Sequence, residues 1–534
     1  MTAPLVLPED VPFTFGAQLE ARANHPALRD RDFLVCADRT WTWRRYRDES
    51  VRAAHFILRR LGPPDPERPA HVAMMLENHF ELLSLFGGCA YAGATLFGIN
   101  TGLRGETLAG VLNQSSARIL VVDARFADEV RQIQSKLDHL GADDVFVLAT
   151  NGVPAGGNDW QAALEAAEGA VDLEREAPDI DVSPETNLMV IYTSGTTGLP
   201  KGINNNHFKL LAIGKRMVDQ LELGTDATGY ACMPLFHSNA MFLGFQPAFL
   251  SGGRVALRER FSASSFADDV LQHGVTYWNY VGEPVHYILN ALERAHGSET
   301  EILANVAEHP DNRFQYAIGN GASPPDLDRF VRWMGLEDMF ELYGSTEAAI
   351  STFRQKGDPR GSVGEITDPA VKILGEDGSD CPPAVVDADG KITNYAEAVG
   401  EICRVAPDTA LFQGYFDNAS ANESKYREGV YHSGDLGHVL VRGEQRFLFF
   451  DGRTDDWIRK DGENFSAAQV ARLIGEHPDV ELAAAYGVPC VVSDELVMVA
   501  LRLRKDAHFD PAAFFGWCED RVVHGGMDRK WFPD

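Results

Sequence analysis

Short apolar runs alternate with longer amphipathic stretches through the first half of the chain. Residues 42–61 read as an amphipathic helix, and His71-Val-Ala-Met-Met-Leu76 reads as a strand. Residues 78–93 follow as a buried helix, Ala94-Thr-Leu-Phe-Gly-Ile99 as a strand, 104–114 as a helix and Arg118-Ile-Leu-Val-Val-Asp123 as another strand. The rhythm continues through 205–222, Gly253-Arg-Val-Ala-Leu257, 265–273 and Thr276-Tyr-Trp-Asn-Tyr-Val281. Such alternation predicts an α/β fold with layered, mainly parallel sheets. Residues 374–396, rich in Gly, Asp, Pro and Ala, read as a loop or β-rich segment. Arg446-Phe-Leu-Phe-Phe450 is a strand that leads into Asp451-Gly-Arg-Thr-Asp-Asp456, a polar, glycine-containing run suited to a hinge. Beyond it, 466–476 is helical, and Glu481-Leu-Ala-Ala-Ala-Tyr486 and Leu496-Val-Met-Val-Ala-Leu-Arg-Leu503 are strands. The expected organisation is a large, multi-subdomain N-terminal domain over 1–452 and a small, mobile α+β C-terminal domain over 453–534.

A chain of 534 residues is too long for one hydrophobic core. Its net charge of −30 argues against nucleic acid or an anionic membrane surface as the main partner. The seven cysteines are scattered and form no Cys-x-x-Cys, which predicts reduced thiols and neither a disulfide framework nor a zinc site. No apolar run is long enough to span a bilayer and no signal peptide is evident, so a cytoplasmic location is expected. The charge fits a monomer or a homodimer.

Residues 191–202 read Ile191-Tyr-Thr-Ser-Gly-Thr-Thr-Gly-Leu-Pro-Lys-Gly202. The hydroxyls of Thr193, Ser194, Thr196 and Thr197 are interleaved with Gly195 and Gly198, and Lys201 follows. Glycines admit an anion close to the backbone, hydroxyls donate to phosphate oxygens or ligate magnesium, and the lysine adds a full charge. The apolar residues 188–192 would form the strand that holds this loop. The run is no Walker loop, which needs Gly-Lys-Ser/Thr opening a helix, because Lys201 here stands between Pro200 and Gly202.

Phe340-Glu-Leu-Tyr-Gly-Ser-Thr-Glu347 holds a flat ring in Tyr343, a phosphate donor in Thr346 and a hard carboxylate in Glu347. His432-Ser-Gly-Asp-Leu-Gly437 offers Asp435, a carboxylate suited to both ribose hydroxyls. These segments, in this order, resemble the adenylate-forming superfamily of acyl-CoA synthetases, aryl-CoA ligases, luciferases and peptide-synthetase adenylation domains. Residues 193–202 match its phosphate loop without a gap, and Tyr343-Gly344-Ser345-Thr346-Glu347 meets its Tyr-Gly-x-Thr-Glu pattern. The resemblance covers essentially the whole chain. The form of 457–466 and of Tyr280-Val-Gly-Glu-Pro-Val-His-Tyr-Ile-Leu289 is most similar to the fatty-acid-transport and very-long-chain acyl-CoA synthetase branch.

The resemblance implies ATP, magnesium and coenzyme A as reactants, with Thr196 and Glu347 ligating the metal. It places Gly321, Ala322 and Ser323 along the adenine, Arg453 near the ribose and Arg459 near the adenylate phosphate, with Asp455 as the hinge. It places Phe236, His237 and Gly319 on the substrate side. Phe236, Trp278, Tyr280, Ala348 and Ala349 would form an apolar acyl channel. Such a channel fits a medium- to long-chain fatty acid or a sterol-like acid, with aryl acids, dicarboxylates and short acids left open, and the implied reaction is acyl-adenylate formation followed by transfer to CoA. A phosphopantetheine carrier as acceptor and a non-catalytic AMP-binding protein are the alternatives. The family's C-terminal lysine is expected past Asp534, and Lys530 lies too early to match it, so the C-terminal domain reads as truncated.

Overall fold

The computed structural model describes residues 5–37, 39–150, 152–168, 176–193, 199–388, 392–405, 411–460, 463–490, 495–504, 507–524, 527 and 529–534. Two compact units are present. The first comprises Met1–Phe340, Thr346–Ala348 and Asp408–Asn422, and the second comprises Glu341–Ser345, Ala349–Pro407 and Glu423–Asp534.

The first unit contains a seven-stranded sheet built on the βα rhythm. His71–Met75 pairs in parallel with Thr95–Gly98 on one side and Ile119–Asp123 on the other. All three strands are buried along their whole length, as expected of a parallel sheet covered on both faces. Asn187–Thr193 extends the sheet in parallel, and Lys201–Asn206 returns antiparallel beside it. The helix Trp43–Leu61 begins where Thr42 accepts from the Arg45 N–H, and it ends at Gly62, whose φ of 79° lies in the left-handed region. It packs on Phe80–Ala92, a helix buried at all 13 positions. Gly87 and Gly88 permit that approach, since a Cβ there would meet Ser50 Oγ at 2.3 Å and Ala53 Cβ at 2.6 Å.

A second sheet of this unit places Tyr316–Asn320, Tyr277–Val281, Thr228–Ala231, Arg254–Leu257, Asp32–Cys36 and Arg39–Thr42 side by side. Its pairings are parallel except for the hairpin that ends at Thr42. One core on this sheet gathers Phe266, Trp278, Tyr280, Phe314 and Phe330.

The second unit is β-rich. Gly400–Val405 and Val430–Arg442 pair antiparallel, with Val371–Leu374 on one side and Gln445–Arg453 on the other. The last strand continues three residues past Phe450, because Arg453 finds a ladder partner in Asp435. Downstream are the hairpin strands Trp457–Lys460 and Glu463–Ser466, the helix Ala467–Ile474, the strands Val480–Pro489 and Glu495–Leu503, and the helix Pro511–His524. Ile458, Val470, Ile474, Val497, Phe514 and Cys518 form their core. The cysteines are free thiols, and no described helix is long and apolar enough to cross a membrane.

Candidate active site

The strand Asn187–Thr193 ends with Thr193 directly opposite Lys201 in the antiparallel ladder. Thr193 Oγ1 donates to the Lys201 carbonyl at 3.4 Å. Ser194, Gly195, Thr196, Thr197 and Gly198 lie outside the described residues. The Lys201 ammonium stands 5.6 Å from the centroid of the Tyr415 ring. The Phe416 N–H donates to the Gly202 carbonyl at 2.7 Å and ties the segment carrying Tyr415 to this strand.

Thr346 and Glu347 occupy a buried turn with contacts from three sides. Thr346 Oγ1 lies 2.7 Å from Ser238 Oγ, and its carbonyl accepts from Lys209 Nζ at 2.7 Å. Glu347 Oε1 accepts from the Tyr415 hydroxyl at 2.6 Å. Ala348 follows at φ 57°, a left-handed conformation that costs a residue with a Cβ about 1 kcal/mol or more. Such a turn persists only where its surroundings over-determine it. A buried carboxylate beside hydroxyl oxygens is a hard donor set of the kind magnesium takes.

Phe236 is buried, and the His237 ring lies 4.6 Å from it, with burial pushing the imidazole pKa down. Asn239 donates to the Tyr280 carbonyl at 3.3 Å and accepts from Asn279 at 2.6 Å, which joins this segment to the strand Tyr277–Val281. Trp278 and Tyr280, expected in the acyl channel, sit fully buried in the aromatic core, with the Trp278 ring 4.6 Å from that of Phe266. Gly319 lies against the same strand, and a Cβ on it would fall 2.0 Å from the Tyr280 carbonyl oxygen. Gly321 follows at φ 83°, and Ser323 Oγ accepts from the Asp326 N–H to cap the helix Pro324–Met334. Gly319→Ala therefore forces two backbones apart. It is expected to destabilise by about 1–3 kcal/mol, as overpacking does, which a denaturant titration checks.

In the second unit the Tyr343 hydroxyl donates to Asp435 Oδ2 at 2.7 Å. Burial and the adjacent carboxylate hold this phenol's pKa well above its usual value. Its ring faces Phe450 at 6.2 Å and a tilt of 31°. Gly344, next in the strand, pairs with Ser351. Asp435 is presented by a pinned turn. Its N–H donates to Ser433 Oγ at 3.0 Å, and Gly434 sits at φ 80°. The Gly434 N–H donates to Glu401 Oε1 at 2.8 Å, while Glu401 Oε2 lies 2.7 Å from His432 Nδ1. Arg453, largely exposed, reaches Asp435 with Nε at 3.5 Å. Asp455 lies in the 3-10 turn Thr454–Asp456 and Arg459 in the strand Trp457–Lys460; their side chains fall outside the described set. Tyr415, Lys209, Ser238 and Glu401 are contacts that the sequence pattern did not single out.

A family profile described as AMP-binding enzyme matches residues 17–416. The chain belongs to this adenylate-forming family. It is 34% identical to a steroid-22-oyl-CoA synthetase of Rhodococcus jostii, over 91% of this chain and 81% of that protein. It is 32% identical to the medium/long-chain-fatty-acid–CoA ligase FadD17 of Mycobacterium tuberculosis, over 92% of this chain and 86% of the relative. Long-chain fatty acid transport protein 2 of Rattus norvegicus is 26% identical over 91% of this chain and 77% of its own length, in line with the branch resemblance. ATP-bound MatB of Rhodopseudomonas palustris shares the fold at a TM-score of 0.79, with 21% identity and 98% and 94% coverage.

The adenylate-forming chain is an AMP-forming acid–CoA ligase, whose reaction takes ATP, magnesium and CoA. With Tyr343 and Arg453 holding Asp435, Asp435→Ala removes a charge-assisted acceptor worth about 2 kcal/mol. An increase of about 30-fold in the KM for ATP is expected, with a smaller change in kcat. An unchanged KM would remove Asp435 from nucleotide binding.

Proposed function

We propose that this ligase activates a medium- to long-chain fatty acid or a sterol side-chain acid in the cytoplasm. The acid's carboxylate oxygen attacks the α-phosphorus of ATP, the P–O bond to pyrophosphate breaks, and an acyl-adenylate forms. The CoA thiolate then attacks the acyl carbonyl and AMP leaves. The buried Glu347 carboxylate, held by Tyr415 beside a Thr346 fixed from two sides, is the observation that carries the assignment. A group held in place before reaction stabilises developing charge without reorganising.

Each residue's role follows its chemistry. Thr193, Ser194, Gly195, Thr196, Thr197, Gly198 and Lys201 take the phosphates, and Gly321, Ala322, Ser323 and Tyr343 take the adenine. Asp435 and Arg453 take the ribose, and Arg459 faces the adenylate phosphate. Magnesium, when bound through Glu347 and Thr196, would offset charge on the phosphate oxygens. Phe236, His237 and Gly319 border the acid. Residues from 453 onward move about Asp455 between the two half-reactions. Free thiols agree with a reducing compartment. The acid class is supported by the names of the two bacterial relatives given above, at 34% and 32% identity, and by the apolar Phe236, Ala348 and Ala349, all buried.

Pyrophosphate release with ATP, magnesium and acids from acetate to long-chain, aromatic and sterol side-chain members tests the reading. Acyl-AMP and acyl-CoA would be read by mass spectrometry. Acyl-CoA from long-chain or sterol acids is expected. Acyl-AMP without acyl-CoA would move the acceptor to a carrier protein, and turnover confined to short or aromatic acids would overturn the acid class.

A further inference from the structure

The strands Gly400–Val405 and Val430–Arg442 pair unevenly. Cys403 stands directly opposite His432, while Glu401, two residues back on the same strand, stands opposite Leu436. Ser433, Gly434 and Asp435 therefore face a single position of the partner strand and bulge out of the ladder. Alternation along Gly400–Val405 turns Glu401 and Cys403 to one face, the face that His432 shares. Cys403 Sγ lies 3.5 Å from His432 Nδ1, and Glu401 Oε2 lies 2.7 Å from the same nitrogen. All three donor atoms fall within 4.8 Å of one another, and among the described residues no other three His, Cys, Asp or Glu side chains converge in this way. Cys403 is fully buried, whereas the His432 and Glu401 side chains are 20% and 19% exposed and leave an approach from solvent. Strand pairing, not a Cys-x-x-Cys spacing, assembles the group, since Cys403 and His432 are 29 residues apart.

We propose that Cys403, His432 and Glu401 bind a zinc ion, and that its arrival moves the Ser433–Gly434–Asp435 turn and weakens nucleotide binding. A thiolate, an imidazole and a carboxylate are donors that zinc takes in a tetrahedron, with water as the fourth ligand, whereas magnesium asks for oxygens alone. Neighbouring donors of a zinc tetrahedron stand roughly 3.3–3.6 Å apart. The Cys403–His432 spacing of 3.5 Å already meets this, so only Glu401 Oε2 has to retreat from its 2.7 Å contact with His432, by about half an ångström. Glu401 does not move alone. Its Oε1 accepts the Gly434 N–H at 2.8 Å, in the middle of the bulge that presents Asp435. Arg427 lies 3.7 Å from Glu401 Oε2, and Lys425 Nζ donates to the Ser433 carbonyl at 2.6 Å. These two cations weaken the hold on a metal, which suits a site that fills and empties. Burial first, and the Glu401 carboxylate second, push the Cys403 thiol up to about 12 in the metal-free protein. The S–H bond therefore breaks as the sulfur–zinc bond forms, its proton passes to solvent, and His432 keeps its own proton on Nε2. The metal site stands on this geometry alone; its effect on the nucleotide rests on the ribose reading of Asp435.

Cobalt(II) reports such a site directly, because a cobalt–thiolate bond adds a charge-transfer band in the near ultraviolet. Titration of the full chain, first stripped with chelator, is expected to raise that band to saturation at one ion per chain and to lose it when zinc is added. Cys403→Ser and Cys403→Ala, each with the other six cysteines in place, should abolish the band. AMP binding, measured without magnesium or acid, reads the coupling. Saturating zinc should raise the Kd of wild type for AMP about tenfold, the scale of one charge-assisted hydrogen bond. Both Cys403 variants should bind AMP as wild type does without zinc and ignore zinc when it is added. Absence of the thiolate band in wild type, or a band of equal size in both variants, would overturn the metal site. A wild-type Kd that zinc leaves unmoved, while Asp435→Ala raises it, would overturn the coupling. A Kd that neither zinc nor Asp435→Ala moves would defeat the ribose reading instead and leave the site standing.

Discussion

Replacement of Glu347 by Ala is expected to abolish pyrophosphate release, a loss of about a thousandfold or more in kcat. The carboxylate is 9% exposed, and its Oε1 already accepts from Tyr415 at 2.6 Å, so its position is settled before reactants arrive. Ala removes the carboxylate of the Thr346–Glu347 turn, the group proposed to hold the cation that counters charge. Glu347→Gln keeps the shape and the Tyr415 contact but loses the charge, and it should fall nearly as far. Tyr415→Phe leaves the carboxylate but frees its orientation. A loss of about tenfold is expected there, the size of one hydrogen bond to a charged group. Synthetic acyl-adenylate supplied with CoA separates the half-reactions. The Ala variant should still convert it to thioester at close to the wild-type rate. If pyrophosphate release survives in the Ala variant, or if both half-reactions fall together, Glu347 is not the adenylation carboxylate.

Burial decides which parts of this arrangement were readable in advance. The helix expected over 42–61 is Trp43–Leu61, and the strands expected at 71–76, 94–99 and 118–123 are His71–Met75, Thr95–Gly98 and Ile119–Asp123. Each has one continuous buried face or is buried throughout, and a hydrophobic pattern records exactly that property of a segment. The helix Gly282–His296 was not foreseen, since its first turn holds a glycine and a proline. The strand Gln445–Arg453 runs past its apolar part because its last residue is paired by Asp435, a tertiary cause with no local signature. The site divides in the same way. Residues gathered in contiguous runs, such as Tyr343 to Glu347, are visible as motifs. Tyr415 acts on Glu347 from 68 residues away and Lys209 on Thr346 from 137 residues away, and an isolated Tyr or Lys in a sequence does not reveal its partner.

Asp455→Pro is expected to leave acyl-adenylate formation within about threefold of wild type and to slow thioester formation about a hundredfold or more. Its backbone lies in the short 3-10 turn Thr454–Asp456, between the strands Gln445–Arg453 and Trp457–Lys460. The turn's Thr454 hydroxyl donates to the Gly434 carbonyl at 3.1 Å, whereas Thr346, Glu347, Lys209, Ser238 and Tyr415 all belong to the other unit. Two chemistries carried out in succession on one bound intermediate require residues that leave after the first step and others that arrive for the second. The change is absorbed by a few backbone dihedrals at an element boundary. Proline fixes φ near −65° and restricts the residue before it, so one conformation survives and the passage to the other is lost. Single-turnover chase of preformed acyl-adenylate with CoA measures the second step alone, and pyrophosphate release measures the first. A Gly at the same position, which adds freedom where proline removes it, should leave both steps near wild type. Equal loss of the two steps in the Pro variant would mean that Asp455 supports the fold of the segment after 453, and that the conformational change pivots elsewhere.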